Sequence, residues 1–551
     1  MSKSTSVFSS ISVAVHQRPL FYILLLAFIV RLLAVIFAQG FMMHDDHFLT
    51  VEPSASWAVG KNFNGWLPGI GNNNLHPEPI SFFYLGGLFL LFKIFHFLGV
   101  DNPESQMYLM RFIHAIYSLL VVYYGFKITE LLSNRKNAIQ AGILLAFIAI
   151  LPNFSVRNLV EMVCIPPLMV GFFLLLKHVP FKHIKLFNAS IAATTTTRAA
   201  SQHNAFRMLI AAALFMGMAV GIRYQTGLLV ALVGLVLLIF HSFRYALAFG
   251  VMSFAMFFIT QIDDVLLWGG EPFQHLKGYF DYNTTHANNY PGSSIAYLSF
   301  IAIFILPPVS LFLVTGFFRE WKNQLLIVLP VAGFVLFHIW YPNRQERFIL
   351  PALPFVVMVG VVGWNAIIEK SQFWLNKKKL IRGCWIFFWT LNTCGMLTLC
   401  FTYSKKCRVE SMTYLYEQKD CRNFALEYTH IDSGSMLPQY YSGIWTTYYY
   451  WKKGDNPTDY ILNMRHDEEA TTHDLQPRLE PNYYLFYDDV NLEARVAKIR
   501  EQYPDIEFLT TIESGWFDKL LNHLNPKNAL EKIHIYKIPS IDGSNHEMPL
   551  L

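Results

Sequence analysis

Charge is sparse in this 551-residue chain: Asp, Glu, Lys and Arg make up 15% of it against 54% hydrophobic residues. The apolar residues come in long blocks rather than at amphipathic spacing, which excludes a water-soluble globule and predicts a multi-pass membrane protein. The net charge of +5 is modest, and the basic residues cluster in short loops between apolar runs. They report orientation in a membrane, and no nucleic-acid partner is expected. Cysteine is also scarce. Cys164, Cys384, Cys394 and Cys400 fall in apolar runs, where the thiol acts as a small hydrophobe. Cys407 and Cys421 lie outside them and could close a short disulfide loop in an oxidising compartment, a pairing that sequence does not fix. No zinc-type spacing is present, so no structural metal is expected. No internal repeat is apparent. The first apolar run lacks a small-residue cleavage site after it and is expected to remain as a signal anchor.

Apolar stretches at 21–40, 108–131, 138–152, 158–176, 208–222, 226–241, 245–262, 295–316, 324–341, 348–368 and 383–402 read as about eleven spans, most of them near the ~20 residues that cross a bilayer. Lys3 and Arg18, with no acid before Asp45, place the N-terminus in the cytoplasm. A further apolar stretch, 80–98, decides the parity. If it crossed, the basic loops Arg135-Lys136, Lys177 to Arg207, Arg319 to Lys322 and Lys377 to Arg382 would all face outward. It therefore reads as an outer-face interfacial or re-entrant helix. The outward loops are then 41–79, 153–157, 223–225, 263–294 and 342–347. Residues 1–402 form the membrane domain. Residues 403–551 are expected to form a small extracytoplasmic soluble α/β domain, with strands at Tyr483 to Tyr487, Ile506 to Ile512 and Ile533 to Ile538 and helices at Leu492 to Gln502 and Trp516 to Leu524. The threonine-rich segment Ala192 to Ala200 is low-complexity.

The chemistry-bearing residues gather on the outer face. The run Phe41-Met42-Met43-His44-Asp45-Asp46-His47-Phe48, with Glu52 after it, follows the first span. Adjacent acids there supply a candidate general base; a solvated charged cap is the plainer alternative. The same loop carries Trp57, Trp66, Asn72 to Asn74, His76 and Glu78, types that suit carbohydrate and equally an interfacial belt. Asn343-Arg344-Gln345-Glu346-Arg347 sets two arginines at the outer end of a span, against the charge bias. They fit either a lipid-phosphate clamp or internal pairing with Glu346 or Asp263. Arg223 is a further ligand candidate, whereas Arg157 and Glu161, one helical turn apart, read as a structural pair. The loop 263–294, with Asp263-Asp264, Trp268-Gly269-Gly270, Phe280 to Asn283 and Tyr290-Pro291-Gly292, is long enough to fold over a site or merely to connect spans. Of the sequons at Asn153, Asn188 and Asn283, the first and last face outward in this topology.

In this order the motifs resemble glycosyltransferase family 22, the membrane mannosyltransferases of the GT-C superfamily. His44-Asp45-Asp46-His47-Phe48 and Glu52 match its first-loop His-Pro-Asp-Glu-aromatic run and the glutamate after it, without the proline or the fourth acidic position, and align Asp46 with its essential aspartate. Ile262-Asp263, Trp268-Gly269, Phe280 to Asn283 and Tyr290 to Gly292 look like its later loop. Arg347-Phe348 matches the end of its His-Lys-Glu-x-Arg-Phe run, and Arg408 to Leu415 its arginine segment after the last span. The resemblance covers residues 20–415 and implies a GT-C fold, a polyprenyl-phosphate-linked sugar donor, commonly mannose, and a glycan or glycolipid acceptor. It further implies inverting transfer, with Asp46 as base and Asp45 as second candidate. Arg347 or Arg344, with Arg223, would stabilise the departing phosphate, and His44, Glu52, His76, Glu78, Asp263 and Asn283 are the substrate-contact candidates. No metal is required, although Asp45 with Asp46 could hold Mg²⁺ or Mn²⁺. A bacterial inner membrane with a periplasmic site is favoured over an endoplasmic-reticulum membrane with a luminal one. The alternatives are a lipid or glycolipid transporter or flippase, which predicts symmetric hydropathy halves and substrate-binding helix breaks near the bilayer middle, and a non-catalytic scaffold.

Overall fold

The computed structural model describes residues 17–62, 66–67, 80–179, 202–266, 271–289, 305–428, 436–445, 449–452, 461–462, 480–526, 528 and 530–541. Seven helices among them are long and apolar enough to cross a membrane: Pro19–Phe37, Pro103–Leu132, Val160–His178, His203–Ile222, Phe243–Leu266, Glu346–Lys370 and Lys378–Cys400. Each coincides with an expected span. The expected spans at 226–241, 295–316 and 324–341 appear as the shorter apolar helices Thr226–Phe240, Val309–Arg319 and Leu325–Trp340; the first part of 295–316 lies outside the described residues. Phe82–Phe97 is also short, with 16 residues. At 1.5 Å per residue it reaches about 24 Å, and it packs against the helix Val51–Ala58.

The expected span at 138–152 is not one helix. The helix Arg135–Phe147 stops at Ile148, and a separate five-residue helix, Ile150–Phe154, follows. Asn392 of the last span occupies the break: its Oδ1 accepts the Ala149 N–H at 2.9 Å and its Nδ2 donates to the Phe147 carbonyl at 2.6 Å. A break among spans needs such partners, because the bilayer offers the freed backbone groups none. Arg31, the lone charge of the first span, is likewise satisfied: it is 1% exposed and donates to Ser118 Oγ at 2.9 Å and to the Ala27 carbonyl at 3.2 Å.

The helices Val309–Arg319 and Glu346–Lys370 touch backbone to backbone at Gly316, Gly360 and Gly363. A Cβ on Gly363 would collide with the Gly316 carbonyl, and one on Gly316 with that of Gly360. Small residues permit this approach in membranes. Gly363→Ala should therefore force the pair apart at a cost of about 1–3 kcal/mol, read as a lower thermal midpoint of the solubilised protein. An unchanged midpoint would contradict the packing.

Beyond the last span, the helix Lys406–Gln418 leads into a six-stranded mixed sheet: β1 Phe424–Tyr428, β2 Tyr449–Lys452, β3 Ile461–Leu462, β4 Tyr483–Tyr487, β5 Glu507–Glu513 and β6 Lys532–Lys537. Their order is β3-β2-β1-β4-β6-β5, with β1 parallel to β2 and β4 and the remaining pairs antiparallel. The helices Leu492–Gln502 and Trp516–Leu524 fall where the periodicity puts them. All five residues of β4 are buried, which is why it reads as a continuous apolar run. One apolar core runs without interruption from the helical bundle to the sheet. Arg408 fastens the helix Lys406–Gln418 to the start of β6 through Glu531, with Nε to Oε2 at 2.9 Å. Cys407 and Cys421 are free thiols, like the other cysteines.

Candidate active site

After the first span the chain turns through Gly40, whose φ of +70° and backbone contact with Ser404 leave no room for a Cβ, into the short helix Asp45–Phe48. Neighbouring helix positions point about 100° apart, so the two acids meet different surroundings. Asp46 is 5% exposed, and its oxygens accept the N–H groups of Met42 and Met43 at 3.3 Å each. Burial pushes its carboxyl up to about 6, against the opposing pull of Arg157, His47 and the two N–H groups. Asp45 is 44% exposed and pairs with Arg347 Nη2 at 2.5 Å.

Arg347 stands in the 3₁₀ segment Glu346–Ala352. Its Nε and Nη2 donate to Gln345 Oε1 at 2.9 and 2.6 Å, and Nε lies 3.5 Å from Glu161 Oε1. Arg223 Nη1 is 2.7 Å from the same oxygen. Both guanidinium carbons lie over the Phe348 ring, at 5.0 Å for Arg223 and 5.7 Å for Arg347. Arg223 Nε and Nη2 are buried with no hydrogen-bond partner among the described residues. Two cations thus share one carboxylate, and one of them keeps donors free for an anion.

The expected Arg157–Glu161 pair does not form. Residues 155–159 are a turn rather than a helix, so the four-residue spacing stacks nothing. Arg157 instead donates to the Gln39 and Gly40 carbonyls and lends its charge to Asp46. Arg344 turns away from Arg347: its Nε donates to the Ile339 carbonyl at 2.8 Å and its Nη2 to that of Trp340 at 3.4 Å, capping the helix Leu325–Trp340. His44 stacks on Phe48 at 4.7 Å. Glu52 is fully buried, 3.5 Å from His47 Nε2, and accepts the Tyr440 N–H at 3.4 Å; it braces the wall of the site.

Asn283, in the helix Gln274–Thr285, donates to the Tyr279 carbonyl at 2.8 Å, and its own carbonyl accepts from Tyr341 Oη at 2.8 Å. Asp263 gathers with Asp264 and His275, a trio whose ligand atoms lie within 4.8 Å of one another. His76, Glu78, Trp268-Gly269 and Tyr290 to Gly292 fall outside the described residues.

Sequence reasoning did not find Tyr440 and Tyr441, more than 390 residues beyond the acidic run they meet. Tyr441 stacks on His47 at 5.5 Å, with Phe41 on the same imidazole at 5.2 Å. Glu161 was visible as an ionisable residue near the membrane needing a partner, but two basic candidates distant in sequence supply it.

Comparisons with known proteins agree with this architecture. The sequence profile of the Alg9-like mannosyltransferase family matches residues 22–432. No curated protein sequence matches. Among solved structures, ArnT from Cupriavidus metallidurans bound to undecaprenyl phosphate superposes with a TM-score of 0.56 at 11% identity, covering 93% of this chain and 97% of that one. The apo form of ArnT gives 0.53 at 11% identity, covering 98% and 99%. The apo oligosaccharyltransferase of Archaeoglobus fulgidus gives 0.46 at 12% identity, covering 75% and 62%. The transporter and scaffold readings are set aside: with its profile match spanning most of the chain and its ArnT-like fold, the protein belongs to the Alg9-like mannosyltransferase family and is a GT-C membrane glycosyltransferase.

Proposed function

We propose that the protein transfers mannose from a polyprenyl-phosphate donor to a hydroxyl of a glycan or glycolipid acceptor, with inversion, on the extracytoplasmic face, the periplasm if the membrane is a bacterial inner membrane. The acceptor oxygen bonds to the anomeric carbon as the bond from that carbon to the phosphate oxygen breaks. The acceptor proton passes to Asp46, and the departing phosphate is held by Arg223 and Arg347. Asp45 aligns Arg347. No step in this scheme uses a metal. The observation that carries the reading is the buried Asp46, whose charge acts on Arg347, together with Arg223, which shares Glu161 with Arg347 and retains two unpartnered donors. Leaving such donors empty costs about 1–3 kcal/mol, which a phosphate would recover. ArnT bound to undecaprenyl phosphate supports a lipid phosphate at this fold's site.

The test is transfer by the purified protein in nanodiscs, with product NMR giving the new anomeric configuration. It should be opposite to that of the donor; retention would overturn the single-displacement scheme. A second expectation concerns pH. Asp46, raised to about 6, must be ionised to accept a proton, so the rate should fall tenfold per pH unit below about 6 and level off above it. A rate unchanged between pH 7 and pH 5 would remove Asp46 as base.

A further inference from the structure

Asp263 and Asp264 open the four-residue helix at the end of the span Phe243–Leu266, and His275 lies in the first turn of the helix Gln274–Thr285. His275 Nδ1 contacts the Asp264 carboxylate and stands 3.9 Å from Asp263 Oδ2. The Asp264 side chain is 0% exposed and that of His275 1%, while Asp263 keeps 19% and leaves a way in. The Phe82 ring covers His275 at 4.1 Å. Neither carboxylate has a Lys or Arg partner among the described residues, and Asp264 Oδ2 is buried with no hydrogen bond. Two carboxylates beside one imidazole, one of them sealed from water with an open oxygen, leave negative charge that a single histidine does not fully offset.

We propose that Asp263, Asp264 and His275 bind a divalent cation of the Zn²⁺ or Mn²⁺ type. Ligand bonds of about 2.0–2.2 Å place ligand atoms up to roughly 4 Å apart, which the separation of Asp263 from His275 meets. A donor set of two carboxylates and one imidazole suits these ions and leaves a coordination position for water. Asp263 then serves as a metal ligand rather than a substrate contact. The cation ties the helix Gln274–Thr285 to the end of the span Phe243–Leu266. That helix carries Tyr279, which packs edge-on against Tyr224 at 5.3 Å. Metal binding itself does not depend on the transfer reading.

The experiment uses tag-free, full-length protein in nanodiscs, stripped with a chelator, exposed to Zn²⁺ or to Mn²⁺ alone and desalted before the bound metal is counted. One ion per chain is expected in the native protein, together with a metal-dependent rise in its thermal midpoint. Asp264→Asn and His275→Gln should lose both. Asp263→Asn, at the open edge, should bind about tenfold or more weakly and serves if the buried substitutions do not fold. Retention of neither metal by the native protein, or equal retention by folded Asp263→Asn, would overturn the site. The readout is stoichiometry, so a failure of mannosyl transfer would leave this result intact.

Discussion

Asp46→Asn should lower mannosyl transfer by about 10²–10⁴-fold, the usual contribution of a positioned general base. Asparagine has nearly the same shape and keeps one oxygen to accept from Met42 or Met43, so the short helix Asp45–Phe48 is retained while the proton acceptor is lost. The substitution also removes a buried negative charge beside Arg157; a thermal midpoint measured in parallel separates misfolding from lost chemistry. Asp45→Asn makes the contrast. Its carboxylate is 44% exposed and committed to Arg347, so its loss should cost tenfold or less through looser placement of that arginine. Steady-state transfer by the two variants checks the assignment. Asp46→Asn within tenfold of the native rate, with Asp45→Asn far below it, would exchange the two roles.

Arg223→Gln should reduce transfer by about 10²–10³-fold, the scale for removing one group that stabilises developing charge. This substitution needs a control, because Glu161 would lose its 2.7 Å partner, and breaking a buried pair costs about 3–5 kcal/mol. The double variant Arg223→Gln with Glu161→Gln removes the buried carboxylate that would otherwise be left with Arg347 alone, at 3.5 Å. It should recover the native thermal midpoint and leave transfer low. Recovery of both would show that Arg223 supports the fold and not the phosphate. Arg223→Lys keeps the charge but not the planar fork and should fall between the native protein and Arg223→Gln in its donor KM.

The sequence made the long spans legible because each is a continuous apolar run, and the helices Leu492–Gln502 and Trp516–Leu524 because their periodicity is clear. It hid the break at Ile148, since 138–152 is apolar on both sides of it and the partner that satisfies the break, Asn392, lies more than 200 residues away. It hid β1 to β3 because these strands are short and separated by long connections. Within the candidate site, Asp45, Asp46, Arg223 and Arg347 are each singled out by residue type and position at a membrane surface. Their pairing was not: Asp45 and Arg347 are 302 positions apart, and Glu161 sits nearer in sequence to the wrong arginine. Arg344 and Arg347 look equivalent in the chain, yet the segment Glu346–Ala352 turns one into the site while the other caps a helix.

The central claim is that mannose comes from a lipid phosphate. Its most direct test supplies the native protein with radiolabelled mannose on polyprenyl phosphate or on GDP, in the presence of a membrane lipid extract, and follows label into glycolipid. Label should pass from the polyprenyl-phosphate donor alone, with polyprenyl phosphate released in equal amount. Transfer from GDP-mannose with none from the lipid donor would contradict the account.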